Sequence, residues 1–196
     1  WFSQDRYGLC IYDSRKEKLK HYSQCQGTRN LPFGDVTNIA RSYNHNWIWA
    51  TSYGPTVFGL SQQNMEMKEE VRIELGNVTN NPGLITSLFE DPQNNLWIGT
   101  TTGLFVYRIM SATLESIPEV SGPVAGITQT ADSRIWTVIR NKGIYRIEQD
   151  KRIESYPFDK DFVCIDATSD GNLWMGTTEG EVLLFDPRQK EKLKDY

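Results

Sequence analysis

The chain has 196 residues, with 21 Lys and Arg against 25 Asp and Glu, a formal net charge of −4 and a pI near 5.3. That balance argues against a nucleic-acid surface, which carries a basic stripe, and no apolar run approaches the length needed to cross a bilayer. At 38% hydrophobic and 12% aromatic residues, a chain of this length can bury a sizeable core.

The first phrase, WFSQDRYGLCIYD (1–13), runs from a tryptophan through a glycine turn into an alternating strand. A KEK-rich turn and a polar strand, Leu19-Lys20-His21-Tyr22, come next; their charges suit a solvated outer edge. Val36-Thr37-Asn38-Ile39 is a short apolar run, followed by NWIWATSYGPTVF (46–58) and the more polar Val71-Arg72-Ile73-Glu74. The order recurs in Ile85-Thr86-Ser87-Leu88-Phe89, the turn Asp91-Pro92-Gln93-Asn94, and NNLWIGTTTGLFVY (94–107). It recurs again in Val124-Ala125-Gly126-Ile127, SRIWTVIRNKGIYRI (133–147) and Arg152-Ile153-Glu154-Ser155-Tyr156. The last copy is Phe162-Val163-Cys164-Ile165, the turn Ser169-Asp170-Gly171-Asn172 and GNLWMGTTEGEVLLF (171–185). Its tail FDPRQKEKLKDY (185–196) echoes YDSRKEKLKHY at 12–22. Period-two alternation between Gly, Asn, Asp and Pro turns is the strand-and-hairpin signature, and no stretch shows a helical period.

All six tryptophans fall within these five copies, and Trp49, Trp97, Trp136 and Trp174 are 48, 39 and 38 residues apart. Units of about 40–45 residues with four strands each are propeller blades. The fold expected is all-β: four complete four-stranded β-propeller blades plus part of a fifth, in units 1–32 (partial), 33–80, 81–121, 122–158 and 159–196. The innermost strands read as the most apolar and the outermost as the most polar. The chain enters one blade at its second strand and leaves another after its fourth, so a piece of a larger propeller is expected. The remaining blades of a parent chain, or a second copy, would complete it.

The recurring residues have a structural chemistry. Trp1, Trp49, Trp97, Trp136 and Trp174 can bury large rings and donate an indole N–H. Gly99 and Gly176 admit a close neighbouring backbone. Thr100 and Thr177 can hydrogen-bond within the turn, and Gly103, Gly143 and Gly180 supply a turn glycine, with positive φ expected at Gly103 and Gly180. Thr51 and Gly54 take the places of Thr100 and Gly103 in the second unit. Recurrence of Trp in every unit points to packing, against the competing reading as sugar-stacking platforms. Trp47 is the exception, an extra Trp flanked by Arg41, Tyr43 and His45.

The run Ile85-Thr86-Ser87-Leu88, Asp91, Asn95-Leu96-Trp97-Ile98-Gly99-Thr100, Gly103-Leu104-Phe105 resembles the two-component regulator propeller repeat, and 162–185 is a second good match. The unit at 124–147 departs, with Thr137-Val138-Ile139 in place of Ile-Gly-Thr. In that family the repeats build propellers in the extracytoplasmic part of sensor histidine kinases, many of them hybrid receptors of Bacteroides-type bacteria that detect polysaccharide breakdown products. The resemblance implies a periplasmic ligand-sensing or dimerising segment, with an oligosaccharide as the ligand sensed, and a membrane helix and kinase outside this chain. A protein-interaction scaffold and a glycan-processing propeller enzyme are the other readings of the same architecture.

A ligand site belongs in the variable turns carried on the frame. Those between second and third strands offer Arg6, Tyr7, Tyr53, Arg140, Asn141, Lys142 and Glu179, with Trp47 beside them as a further ligand-binding candidate. Arg and Lys suit a uronate or sulfate and Tyr a sugar ring; equally, such turns are polar because they are wet. No catalytic residue, metal site or cofactor is read from the sequence. It has two His, no metal-ligand spacing, no phosphate loop and no nucleophile elbow. Of three cysteines, Cys10 and Cys164 read as buried thiols and Cys25 as a loop residue.

Overall fold

A computed structural model describes residues 1–4, 8–22, 35–63 and 66–189. Eighteen strands form five antiparallel sheets among these residues. The first sheet holds β1 (Phe2–Gln4), β2 (Gly8–Asp13) and β3 (Lys18–Tyr22). The second holds β4 (Asn38–Arg41), β5 (Trp47–Thr51), β6 (Thr56–Gln63) and β7 (Glu66–Glu74). The third holds β8 (Ile85–Glu90), β9 (Asn95–Thr100), β10 (Gly103–Arg108) and β11 (Thr113–Ser121). The fourth holds β12 (Val124–Gln129), β13 (Ile135–Ile139), β14 (Gly143–Ile147) and β15 (Ile153–Pro157). The fifth holds β16 (Phe162–Ala167), β17 (Leu173–Thr177) and β18 (Val182–Phe185); the strand expected after it lies at 190–196, outside the described residues. The one helical element described is a 3-10 turn, Leu75–Asn77.

The strands within each sheet pair in chain order, and the first strands of successive sheets lie side by side, β4 by β8, β8 by β12, β12 by β16. Side chains stitch this inner row. Asn38 Nδ2 donates to the Ile85 carbonyl at 3.1 Å, Thr86 Oγ1 to the Val124 carbonyl at 2.7 Å, and the Ala167 N–H to Thr128 Oγ1 at 3.2 Å. The sheets therefore radiate as propeller blades.

Period-two alternation decides what each blade buries. In the third blade Leu96, Ile98 and Phe105 pack back onto Trp49, Val57, Ile73 and Leu75 of the second. Trp97, Leu104 and Val106 pack forward onto Ile127, Ile135, Ile139 and Ile147 of the fourth. Trp136, Val138 and Ile144 of the fourth pack forward onto Phe162, Leu173, Met175 and Phe185 of the fifth. The tryptophans thus always face the following blade. Trp174 has no described blade ahead of it and is half-buried, whereas Trp49, Trp97 and Trp136 are buried.

Two expectations are corrected here. The most buried strand is the second of each blade, β5, β9 and β13, and not the innermost. The inner strands β4, β8, β12 and β16 are only partly buried. In β8, β12 and β16 the pairing also slips past one residue, Thr86, Ala125 or Val163, and a bulge of this kind turns its side chain out of the ladder. Cys164, next to that bulge, is exposed rather than buried. Cys10 is buried, 3.1 Å from His21 Nδ1, and burial pushes its thiol up. Cys25 lies outside the described residues.

Candidate functional site

The turn between first and second strands repeats one device. A polar residue follows the first strand, and its backbone N–H closes the turn: Asp91 onto the Asn95 carbonyl (2.9 Å), Thr130 onto Arg134 (3.1 Å), Thr168 onto Asn172 (2.9 Å). Three residues on, Asn94, Ser133 and Gly171 take positive φ of 62°, 65° and 85°. Six residues on stands the tryptophan, and it donates back: Trp97 Nε1 to Asp91 Oδ2 at 2.8 Å, Trp136 Nε1 to Thr130 Oγ1 at 3.1 Å. Buried Asp91 also accepts from the Gln93 and Asn95 N–H groups, both at 2.9 Å. These tryptophans are spent on packing and on locking their own turns.

The second blade departs. Its turn is one residue longer, so Ser42 closes onto Trp47 (3.3 Å) and Trp49 no longer reaches its own turn. The Trp49 indole donates instead to Glu90 of the third blade. The buried Glu90 carboxylate also accepts from the Tyr43 and Asn44 N–H groups at 3.0 and 3.3 Å. Trp47 occupies the place that Asn95 has in the third blade, stacked on His45 with centroids 4.3 Å apart.

The glycines divide by turn length. Gly103 is already in β10, without positive φ; a Cβ there would lie 2.9 Å from the Val120 carbonyl, so close approach of β11 is what requires glycine. Gly180 sits two residues before the paired segment, in the turn proper, with φ of 84°. Gly143 combines both demands, with φ of 117° and the Tyr156 carbonyl only 2.2 Å from where a Cβ would stand. In the second blade the place of Gly103 is held by Thr56 and not by Gly54, because that turn is one residue longer between paired positions. Thr100 acts as expected, its hydroxyl accepting from the Thr102 and Gly103 N–H groups at 3.2 and 3.1 Å, and Thr177 accepts likewise from Glu181 at 3.2 Å.

Of the ligand-binding candidates, Arg6 and Tyr7 lie outside the described residues. Tyr53 is 71% exposed, and Glu179 is exposed at the tip of its turn. Arg140 makes a two-point pair with Asp161 of the fifth blade (3.2 and 2.6 Å), and Lys142 Nζ donates to the Ser121 carbonyl (2.9 Å). Asn141 carries the turn between them at φ 58°. Arg140 and Lys142 thus tie neighbouring blades together, and Trp47 lies at the opposite end of its blade from Tyr53.

That opposite end carries a cleft of about 480 Å³ between the third and fourth blades. Its floor includes Trp97, Ile117, Ile135 and Ile147, and its walls carry Asn95, Arg108, Glu115, Glu148 and Lys151. The wall charges are matched. Glu115 lies 3.6 Å from Arg108 and 3.1 Å from Lys151, which holds its carboxyl below the usual range through the lysine hydrogen bond first. Glu148 is held by Arg134 (3.1 Å) and Arg146 (2.9 Å). Arg108 also donates to Asn95 Oδ1 at 3.0 Å. Sequence reasoning placed the ligand at the other rim and missed this cleft. Its one legible signal is the β9–β10 hairpin, whose register sets Arg108 opposite Asn95. Among the described residues no cluster of three His, Cys, Asp or Glu could hold a metal ion.

Residues 81–102 match the family model of the two-component regulator propeller. The chain is similar to the extracellular domain described for the hybrid two-component system BT4673 of B. thetaiotaomicron, at 19% identity and a TM-score of 0.71, covering 92% of this chain and 25% of that one. A second structure, of BT4673 described as a one-component system, gives 18% and 0.72 with the same coverage. A streptogramin B lyase structure gives 18% and 0.69, covering 85% of this chain and 56% of that one. The chain therefore spans about half the length of the lyase chain and a quarter of the extracellular domain, and at these identities the likeness is one of fold. No curated protein matches in sequence. The chain is a β-propeller segment that carries the two-component regulator propeller repeat.

Proposed function

We propose that this segment senses a ligand for a two-component receptor, on the extracytoplasmic side in the periplasm, that the ligand is an oligosaccharide, and that the segment does no chemistry on it. The cleft between the third and fourth blades carries this reading. Its volume of about 480 Å³ falls in the range of small-molecule sites, and an apolar floor with convergent polar walls is their usual make-up. Because Arg108 and Lys151 pair with Glu115, and Glu148 pairs with Arg134 and Arg146, the walls suit a hydroxyl-rich, uncharged ligand that exchanges hydrogen bonds with them. The family match and the shared fold with an extracellular receptor domain support the sensing role. Further propeller blades, from a parent chain or a second copy, would cover the forward face of the fifth blade, where Val163, Cys164 and Val182 are exposed.

The test is calorimetric titration of the purified chain with neutral di- to tetrasaccharides, followed by analysis of the sugars recovered. Binding with the sugar returned intact, weakened by Arg108→Ala, is the expected result. A shortened or eliminated sugar would replace sensing with catalysis, and binding indifferent to Arg108→Ala would move the site elsewhere.

A further inference from the structure

We infer that the first and second blades form a separate site for a sugar ring bearing an anionic group, a carboxylate or a sulfate, with Arg41 as its anchor. Arg41 is the last residue of β4 and is exposed. The other described arginines, save Arg15 in an exposed turn, lie within 4.0 Å of a carboxylate. Among the described residues the Arg41 side chain has no such partner and no hydrogen-bond partner. It borders two clefts, of about 230 and 570 Å³, and so can be approached from both.

What surrounds it is aromatic. Trp1, 44% exposed, and half-buried Trp47 line the smaller cleft with His45, and Tyr43, 65% exposed, lines the larger. A guanidinium beside flat rings recognises a charged ring twice, by its anion and by its face. Trp49 fills the core position and Trp47 packs edge-on against it, with the buried Trp47 indole N–H left without an acceptor. The turn carrying Tyr43 and His45 is held in place beforehand, because the buried Glu90 takes the Tyr43 and Asn44 N–H groups and Asn44 Nδ2 donates to Asn94 Oδ1 at 2.9 Å. Among the described residues lining the two clefts, Glu90 is the one carboxylate. It is turned inward onto three donors, with His45 Nδ1 4.0 Å away, which leaves Arg41 facing outward.

This site differs in chemistry from the matched-charge cleft, and it deepens the sensing reading while standing on its own residues. The experiment titrates the purified chain with three probes: a uronate disaccharide, its sulfated counterpart and a neutral disaccharide. The uronate or the sulfated sugar, or both, should bind in a way that weakens by roughly tenfold or more in Arg41→Ala and in Trp47→Ala. Arg41→Lys should retain part of that affinity, and neutral-sugar binding should be unchanged in Arg41→Ala. Thermal unfolding confirms that exposed Arg41→Ala folds, and Trp47→Phe replaces Trp47→Ala if that variant does not. Which probe binds decides between carboxylate and sulfate. Anionic binding indifferent to Arg41→Ala overturns this site and leaves the sensing reading intact. Binding of the neutral probe alone does the same. Binding of none overturns this site and removes support from that reading too.

Discussion

The second and third blades share one strand order and differ in where their tryptophan is tied. In the third, Trp97 bonds Asp91 of its own turn, so the motif closes on itself. In the second, one added turn residue sends the Trp49 indole across the interface to Glu90, and the turn is free to carry His45 and Trp47. The regular blade is frame. The irregular one is fastened to its neighbour and presents, among aromatic rings, a cation that no described residue pairs. A repeat protein can thus acquire a binding surface by lengthening a turn, provided that a neighbouring blade supplies the acceptor that the turn gives up.

The comparison breaks most severely at the tryptophans. Trp49→Ala and Trp97→Ala should each cost about 3–5 kcal/mol, as buried aromatic deletions do, measured by denaturant unfolding. A Trp47→Ala loss of that size would mean that Trp47 belongs to the core. Glu90→Ala should cost about 2–3 kcal/mol because it leaves buried donors without an acceptor. Amide exchange should separate it from Asp91→Ala: the former exposes Tyr43 and Asn44, the latter Gln93 and Asn95. If both variants open the same amides, the two turns are not held independently.

Glycine to alanine sharpens the contrast between covered and uncovered blades. At Gly99 a Cβ would sit 2.2 Å from Ser87 Oγ and 2.4 Å from Val124 Cγ1 of the next blade, and about 1–3 kcal/mol should be lost. At Gly176 the nearest atom is Cys164 Sγ at 2.8 Å, a side chain on an open face, so a smaller loss in thermal unfolding is expected. The smallest effect is electrostatic. The hydrogen bond from Arg140 holds the Asp161 carboxyl below its usual range. A lowered acid stabilises the fold above its unfolded pKa, and that contribution is lost as pH falls through the folded value. Arg140→Ala should therefore lower the melting temperature slightly at neutral pH and flatten the acid-side fall, so that variant and parent converge in melting temperature as pH drops.

Much of the frame was legible because it is periodic. The strands at 85–89, 104–107, 124–127 and 162–165 carry their own alternation, and the buried tryptophans follow from burial of each blade's forward face by the next blade. What the phrase could not reveal is how many residues each turn spends before pairing resumes. Gly103 and Gly180 stand six residues after their tryptophans, yet one is in a strand and the other in a turn. Gly54 matched the motif in letters while Thr56 holds the place in space. The clefts were hidden for a related reason. Each is built from two blades about forty residues apart, so neither Arg108 beside Lys151 nor Glu90 beneath Tyr43 leaves a local pattern. Polar turns such as Arg140–Lys142 read as ligand contacts because their partners, Asp161 and Ser121, belong to other strands and loops.

The most direct test of the division between frame and site is the set of indole N–H resonances of the folded chain, followed through titration with uronate and sulfated disaccharides. Trp49, Trp97 and Trp136 should exchange slowly and stay fixed, while the Trp47 signal moves with the anionic sugar and not in Arg41→Ala. Movement of Trp97 or Trp136 with Trp47 unmoved would place the anionic ligand on the regular blades and contradict the account.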